Sequence, residues 1–314
     1  MSIFVSIASY RDPDLMNTIS SAIDNADNPN DIVFGIALQD FIKDIPNFKE
    51  LPNMRVLNIR PGNARGAGYA RSRAMELYNN EDYYLQIDSH TRFEKGWDSI
   101  CINQHNKAKE ISKNEKIILS YFPPPFYIES NKKISFPKKD KSRPPYATKQ
   151  WPTITERKEW TAKRIDLSGN GVPEVSATVL AGFIFTTGNI VKEVPYDPEI
   201  SFFGEEICFA MRAWTRGWDI YSPCETILYH FYTREGYKRI WKDRNLREMS
   251  WKEIEEKSQD KQKRVLCGIE KGIFGAGDYR HLKLYEKFCG INFKDIYGLT
   301  KENNESTISL ESKE

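Results

Sequence analysis

The strongest constraint on this chain is the order in which two hydrophobic periods alternate over its first 120 residues. Residues 3–8 form a nearly continuous apolar run rich in β-branched side chains, the signature of a strand buried on both faces of a sheet. Asp12-Pro13 follows, read as an N-cap and a first-turn proline that open a helix to about residue 25. The alternation then repeats. Strands are predicted over 32–38, 55–59, 83–87 and 116–121, and helices over 67–78 and 97–110. Short links between such units are the pattern of an α/β domain with a mostly parallel, doubly wound, Rossmann-type sheet flanked by helices. Sheets of this kind bind ligands beyond the carboxyl ends of their strands. Three polar clusters fall at those ends: Ser9-Tyr10-Arg11, residues 60–65, and Asp88-Ser89-His90.

Beyond residue 122 the texture changes. Residues 123–170 are proline-rich, basic and aromatic, and read as a long irregular insertion of the sort that carries function. Residues 175–187 return to β-prone sequence, 204–216 read as a helix with Gly217 near its C-cap, and 219–232 read as strand and turn. Residues 235–288 read as a charged helical extension, and 301–314 as a polar, disordered tail. No apolar run reaches the ~18 residues of a membrane span. Lys+Arg 46 against Asp+Glu 44 gives a net charge of +2, which argues against a nucleic-acid partner. The five cysteines (Cys101, Cys208, Cys224, Cys267, Cys289) are odd in number and lack C-x-x-C. They read as reduced thiols of a cytoplasmic protein. The N-terminus has no basic region before its apolar run and reads as a first strand, not a signal peptide.

Four constellations could carry chemistry. In Asp88-Ser89-His90, alternate residues at a strand end can point the same way. An oxygen and an imidazole nitrogen together suit a borderline divalent ion such as Mn²⁺. The plain alternative is an Asp cap and a surface histidine. His230 ends an apolar run, so it reads either as a core histidine or as a distant third ligand; His105 reads as part of a solvated helix face. The block from Arg60 to Arg73 combines glycines with arginines ahead of a helix, a geometry that favours phosphate. Arg65, in the glycine-rich turn, ranks ahead of Arg71, with Arg73 solvated; an ordinary turn and basic helix is the alternative. The block has no Walker G-K-[ST] and no clean G-x-G-x-x-G. Glu205 and Glu206 open a predicted helix about 100° apart, so one is expected to face the site and the other to cap the helix or pair with a basic group. Glu205, after Gly204, is favoured for the site. Ala181-Gly182-Phe183 offers a flat backbone edge for a ring-shaped substrate.

Taken in order, IFVSIASYRDP, NARGAGYARSRA, YYLQIDSHTRFEKGWD, AGFIFTTGNI, FFGEEICFAMRAWTRGWDIYSP and LYHFY resemble one enzyme family over about residues 2–290. It is the family of cytosolic polypeptide α-N-acetylglucosaminyltransferases, typified by those that modify hydroxyproline, and distantly similar to the mucin-type polypeptide GalNAc-transferases. The resemblance implies a GT-A-like fold, a UDP-GlcNAc donor, Mn²⁺ (or Mg²⁺), a protein or glycan acceptor and retention of anomeric configuration. It also implies that Asp88, His90 and His230 ligate the metal, and that Ser9, Tyr10, Arg11, Arg65, Arg71, Asp88 and Gly182 hold the donor. Glu205 and Glu206 fall in its donor-sugar and acceptor region. The implied division is a catalytic domain over 1–232, with the acceptor region at 123–170, and an extension over 233–300 that completes the site. Two other classes compete: a catalytically silent nucleotide-sugar-binding or lectin-like protein on the same fold, and a nucleotidyltransferase. The latter is disfavoured by SYRDP, which holds no glycine, after the first strand.

Overall fold

The computed structural model describes residues 1–44, 48, 53–130, 133–137, 148–156, 159–243, 246 and 249–299. The expected tail at 301–314 and residues 138–147 of the expected insertion lie outside these described residues.

The strand ends that matter are set by three parallel neighbours. The central strand β1 (Ile3–Tyr10) is flanked by β2 (Ile32–Gln39), beyond which lies the edge strand β3 (Met54–Ile59). On its other side lies β4 (Tyr83–Asp88). The register pairs Tyr10 with Gln39 and Ala8 with Asp88, so all three strands finish at one edge. A short β5 (Thr91–Phe93) leaves β4, and β6 (Ile117–Ser120) follows. Two hairpins come next: β7 (Tyr127–Ile128) with β8 (Ile134–Ser135), and β9 (Thr148–Ile154) with β10 (Trp160–Asp166). β11 (Glu174–Val175), β12 (Phe183–Thr187), β13 (Asp219–Ser222) and β14 (Leu228–His230) complete the strands. The eight-stranded order is β11-β13-β6-β12-β4-β1-β2-β3. β12 runs antiparallel to both β4 and β6, which makes the sheet mixed, as expected for a GT-A-like α/β fold.

Strand alternation divides the core. Ile3, Val5 and Ile7 of β1 face α1 (Leu15–Asp24) and, across the same layer, Phe93 and Trp97. Phe4 and Tyr84 face the opposite layer, which holds Met75 of α2 (Ala67–Met75). α3 (Trp97–Ser112) belongs to the first layer; α4 (Ile190–Glu193) and α5 (Glu205–Thr215) belong to the second. α5 is apolar on two sides. Phe209, Ala210 and Ala213 pack on the sheet, while Ile207, Cys208 and Met211 pack against Val265 and Leu266 of α6 (Trp251–Leu266). Tyr285 of α7 (Leu282–Cys289) and Phe293 of α8 (Phe293–Ile296) join that third core. Among the described residues no helix is long and apolar enough to cross a membrane.

Several local expectations change. The insertion is not irregular throughout, because β9 and β10 pair over seven rungs and Trp160 sinks into the third core, its indole N–H donating to Tyr297 at 3.0 Å. Its prolines sit outside those rungs or, like Pro152, within an isolated two-stranded ladder that tolerates a missing donor. The extension is α-helical only from Trp251; apart from Leu246, which is 3₁₀-helical, the described residues between 232 and 250 are turns and open chain. Helix α1 begins at Leu15 with Asp14 at the cap position, so Asp12 is not its N-cap. His105 is buried, not solvated: it stacks edge-on to Tyr83, its Nε2 donates to the Ile117 carbonyl at 3.2 Å, and burial drives its pKa down to about 4.

Candidate active site

At the shared strand edge the chain turns through β5 and meets β14, which returns antiparallel with His230 opposite Thr91. The Phe231 amide donates to the His90 carbonyl at 3.0 Å. Tyr121 fixes this return, its phenol accepting from the Ile227 and Leu228 amides. Two residues 142 apart in sequence thereby touch: His230 Nε2 lies 3.0 Å from Asp88 Oδ2. Asp88, His90 and His230 each present one ligand atom within 4.8 Å of the others.

The histidines are prepared differently. His90 Nδ1 lies 2.7 Å from Asp12 Oδ2, and a carboxylate partner assigns the proton to that nitrogen. Its Nε2 is buried with no partner, leaving a lone pair facing the cluster. A carboxylate behind the imidazole is the usual support of a metal-binding histidine. Burial opposes ionisation of Asp12, yet the His90 contact, the Asp14 amide and the Ser89 hydroxyl together hold its pKa below the ordinary value. His230 Nδ1 is likewise buried and unpartnered. Burial lowers the His230 pKa against the pull of Asp88, which favours the neutral, ligating form.

Arg71 organises the carboxylates. Its guanidinium donates to Asp88 Oδ1 at 2.8 Å and to Glu205, and lies 5.8 Å from the Tyr196 ring centroid. Burial works against the Asp88 charge, but His230 and Arg71 overcome it and hold the pKa well below the usual range. Glu205 is raised by burial, with Arg71 opposing. Glu206 accepts the Ala181 amide at 2.8 Å and is pushed up to about 7 by burial and by its charged neighbour Glu205. Neither glutamate caps its own helix; each reaches across to another element. Both line the cavity: Glu205, the residue favoured for the open site, also carries the basic partner Arg71, and Glu206 is the less buried of the two.

That cavity holds about 360 Å³, within the range of small-ligand sites. Its floor is Tyr10, Asp12, Arg71, Asp88, His90 and His230, with Ala181-Gly182 and Glu205-Glu206 along one side. A Cβ on Gly182 would stand 3.3 Å from Asp88 Oδ2, so glycine keeps the backbone edge close to the cluster. Phe122, Trp160, Phe202, Tyr232 and Trp241 form an aromatic wall, and Arg234, Lys238 and Arg239 complete the rim.

Three expected donor residues lie elsewhere. Arg65 is exposed over the Tyr69 ring, outside the cavity wall. Ser9 is fully buried, and Arg11 turns away to pair with Asp243 at 2.7 Å. The glycines of the arginine block also serve a different end: Gly68 donates to the Ser201 carbonyl, and a Cβ there would meet the Ile200 carbonyl oxygen at 2.0 Å. They let α2 approach backbone, and Gly66 of the same block lines the cavity.

A family model described as Glycosyltransferase (GlcNAc) matches residues 2–54 and 47–295. The chain belongs to this glycosyltransferase family. A comparison with curated protein sequences gives no match. Among solved structures, this family member resembles GalNAc-T7 crystallised with UDP, GalNAc and Mn²⁺, at TM-score 0.58 and 17% identity, over 93% of this chain and 55% of that one. It thus spans little more than half of that relative. Staphylococcus aureus TarS (1–349) with UDP-GlcNAc is a more distant likeness, at TM-score 0.46 and 13% identity over 76% of this chain and 60% of that one. The first likeness agrees with the GT-A-like fold of the glycosyltransferase.

Sequence reasoning on this glycosyltransferase missed Asp12 and the rim. Asp12 sits in an Asp-Pro pair that also fits a helix start, so its local signal pointed to the wrong partner. Lys238 and Trp241 lie in the stretch read as a charged helical extension and Arg234 just before it, and only the tertiary path shows that they line the cavity.

Proposed function

We propose that the chain is a metal-dependent, retaining glycosyltransferase that moves GlcNAc, or a related hexosamine, from a UDP-sugar to a hydroxyl of a protein or glycan. The observation that carries this reading is the convergence of Asp88, His90 and His230 on the floor of a cavity, in a chain of the glycosyltransferase (GlcNAc) family. The UDP, GalNAc and Mn²⁺ of the similarly folded GalNAc-T7 structure support it.

Asp88, His90 and His230 would hold the ion. The unpartnered buried Nε2 of His90 with its Asp12 support, the His230 Nε2 beside Asp88 and the ionised Asp88 fit that role. One oxygen and two nitrogens suit Mn²⁺ better than Mg²⁺. Bound there, the cation neutralises charge that develops on the leaving diphosphate. Arg234, Lys238 and Arg239 line the cavity, and none of them pairs with a carboxylate among the described residues, so their charge is available to phosphate. Arg71 holds Asp88 and Glu205 in one orientation. Glu206 and the Ala181-Gly182 edge would hydrogen-bond the sugar, and Tyr10 would meet the nucleotide. Retention fits a front-face reaction in which the departing diphosphate oxygen takes the acceptor proton, with no protein nucleophile.

For the acceptor we favour the hydroxyproline-type protein substrate of the resembling cytosolic enzymes. The aromatic wall of Phe122, Trp160, Tyr232 and Trp241 suits a pyrrolidine or sugar ring. The five free, buried thiols fit a reducing cytoplasm. We assign residues 1–232 to the catalytic domain, with 123–170 as its acceptor region, and 233–300 to an extension that supplies the rim. Titration calorimetry of UDP, UDP-GlcNAc and UDP-GalNAc, with and without Mn²⁺, tests the donor. Mn²⁺-dependent binding of all three is expected, and absence of UDP binding in both conditions overturns the reading. Transfer to hydroxyproline peptides and to oligosaccharides then identifies the acceptor.

A further inference from the structure

Two residues before Asp88, on the same face of β4, lies a buried polar side chain that the chemistry above leaves unused. Gln86 is fully enclosed in the sheet, between β1 and β12. A primary amide there is costly unless its donors and acceptor are met. They are met by three neighbouring groups. Nε2 donates to the Ala181 carbonyl at 2.9 Å and to the Tyr196 hydroxyl at 3.1 Å, and Oε1 accepts from Tyr84 at 3.3 Å. Two of these partners, Ala181 and Tyr196, lead to the cavity. The Ala181 residue held through its carbonyl donates its amide to Glu206, and Gly182 follows it against Asp88. Tyr196 lies against the Arg71 guanidinium.

From this arrangement we propose that Gln86 is a positioning residue. It pins the Ala181-Gly182 edge, and through it Glu206, at a fixed height above Asp88, so that it governs how the donor sugar is held while leaving the nucleotide contacts alone. The inference rests on the UDP-sugar reading above. A core glutamine with a purely structural role would tolerate an apolar side chain of similar volume with turnover of the folded protein unchanged, the orphaned partners costing stability alone. A positioning glutamine would not, because Ala181 would lose the contact that orients both its carbonyl and, through the chain, its amide.

The test compares wild type with Gln86→Met, which keeps the volume and removes the hydrogen bonds. Calorimetry reads the affinity for UDP with Mn²⁺, and steady-state assays read kcat and the ratio of kcat/KM for UDP-GlcNAc over UDP-GalNAc. UDP affinity is expected to stay within about twofold, while kcat falls on the order of tenfold or more, in line with other outer supports of active sites, and the donor ratio moves toward unity. Wild-type kcat and donor ratio in a folded Gln86→Met protein overturn the inference. So does a parallel loss of UDP affinity and kcat, which would mark general damage. Tyr196→Phe supplies the second arm if Gln86→Met does not fold: it removes one Gln86 partner and should lower kcat a few-fold at constant UDP affinity, and an unchanged kcat and donor ratio overturn the inference. A wild type that binds no UDP in either metal condition overturns the UDP-sugar reading itself, whereas a wild type that binds and transfers confines any failure to Gln86.

Discussion

The floor and the rim of the cavity are built on opposite plans. Tyr10, Gln39 and Asp88 stand at the ends of parallel strands whose register is fixed by continuous ladders, and each charged group of the floor has an opposite partner. The rim comes from open chain and an isolated hairpin: Arg234, Lys238 and Trp241 follow β14, and Trp160 begins β10. Ladders hold positions to a fraction of an ångström and suit chemistry that needs fixed charges. Loops adapt and vary, and suit recognition of an acceptor. On the reading proposed above, the stiff floor would serve the metal and the sugar, and the adaptable rim would serve the diphosphate through Arg234, Lys238 and Arg239 and the acceptor through its aromatic side chains.

Substitutions should therefore separate the two regions. The largest effect is expected from Asp88→Ala. It removes the carboxylate proposed to hold the metal, deprives His230 of its partner and leaves Arg71 with Glu205 alone. Mn²⁺-dependent UDP binding should disappear in calorimetry; retained affinity would break the assignment of the floor. Arg71→Met comes next. It strands Asp88 and Glu205 together, so unfolding stability should fall by about 3 kcal/mol or more, against less than about 0.5 kcal/mol for exposed Arg65→Ala. Equal denaturation midpoints for the two variants would remove the distinction between a buried organiser and a surface arginine.

Glu206→Gln should act through pH. The folded protein holds this carboxyl protonated up to about 7, whereas the unfolded chain releases the proton near 4.5. Between those values the native state binds the extra proton, so the group's contribution to stability falls as pH rises through that window. The variant should lose this component, visible as a flatter thermal midpoint against pH; parallel curves for both proteins would contradict it. Trp241→Ala should have the smallest effect. Acceptor KM is expected to rise by about tenfold, the scale of one lost stacking contact of about 1 kcal/mol plus buried area, with UDP affinity unchanged. A matching loss of UDP affinity would mean that floor and rim are not separable.

The alternation of periods in the first 120 residues was enough to name the α/β class and to place Asp88 and His90 at a strand end, because strand and helix periods are written in local sequence. The family resemblance added His230. Direction and distance were another matter. Arg71, not Arg65, enters the site because the helix rotates it inward, while its glycine neighbours pack α2 against Ser201 and Ile200. Asp12 left its expected cap to support His90, and residues 148–166 formed a hairpin anchored by Trp160. Only the pairing of β5 with β14 brings His230 to Asp88 across 142 residues, since a ladder between distant segments is selected by the whole packed core and leaves no mark in either segment alone.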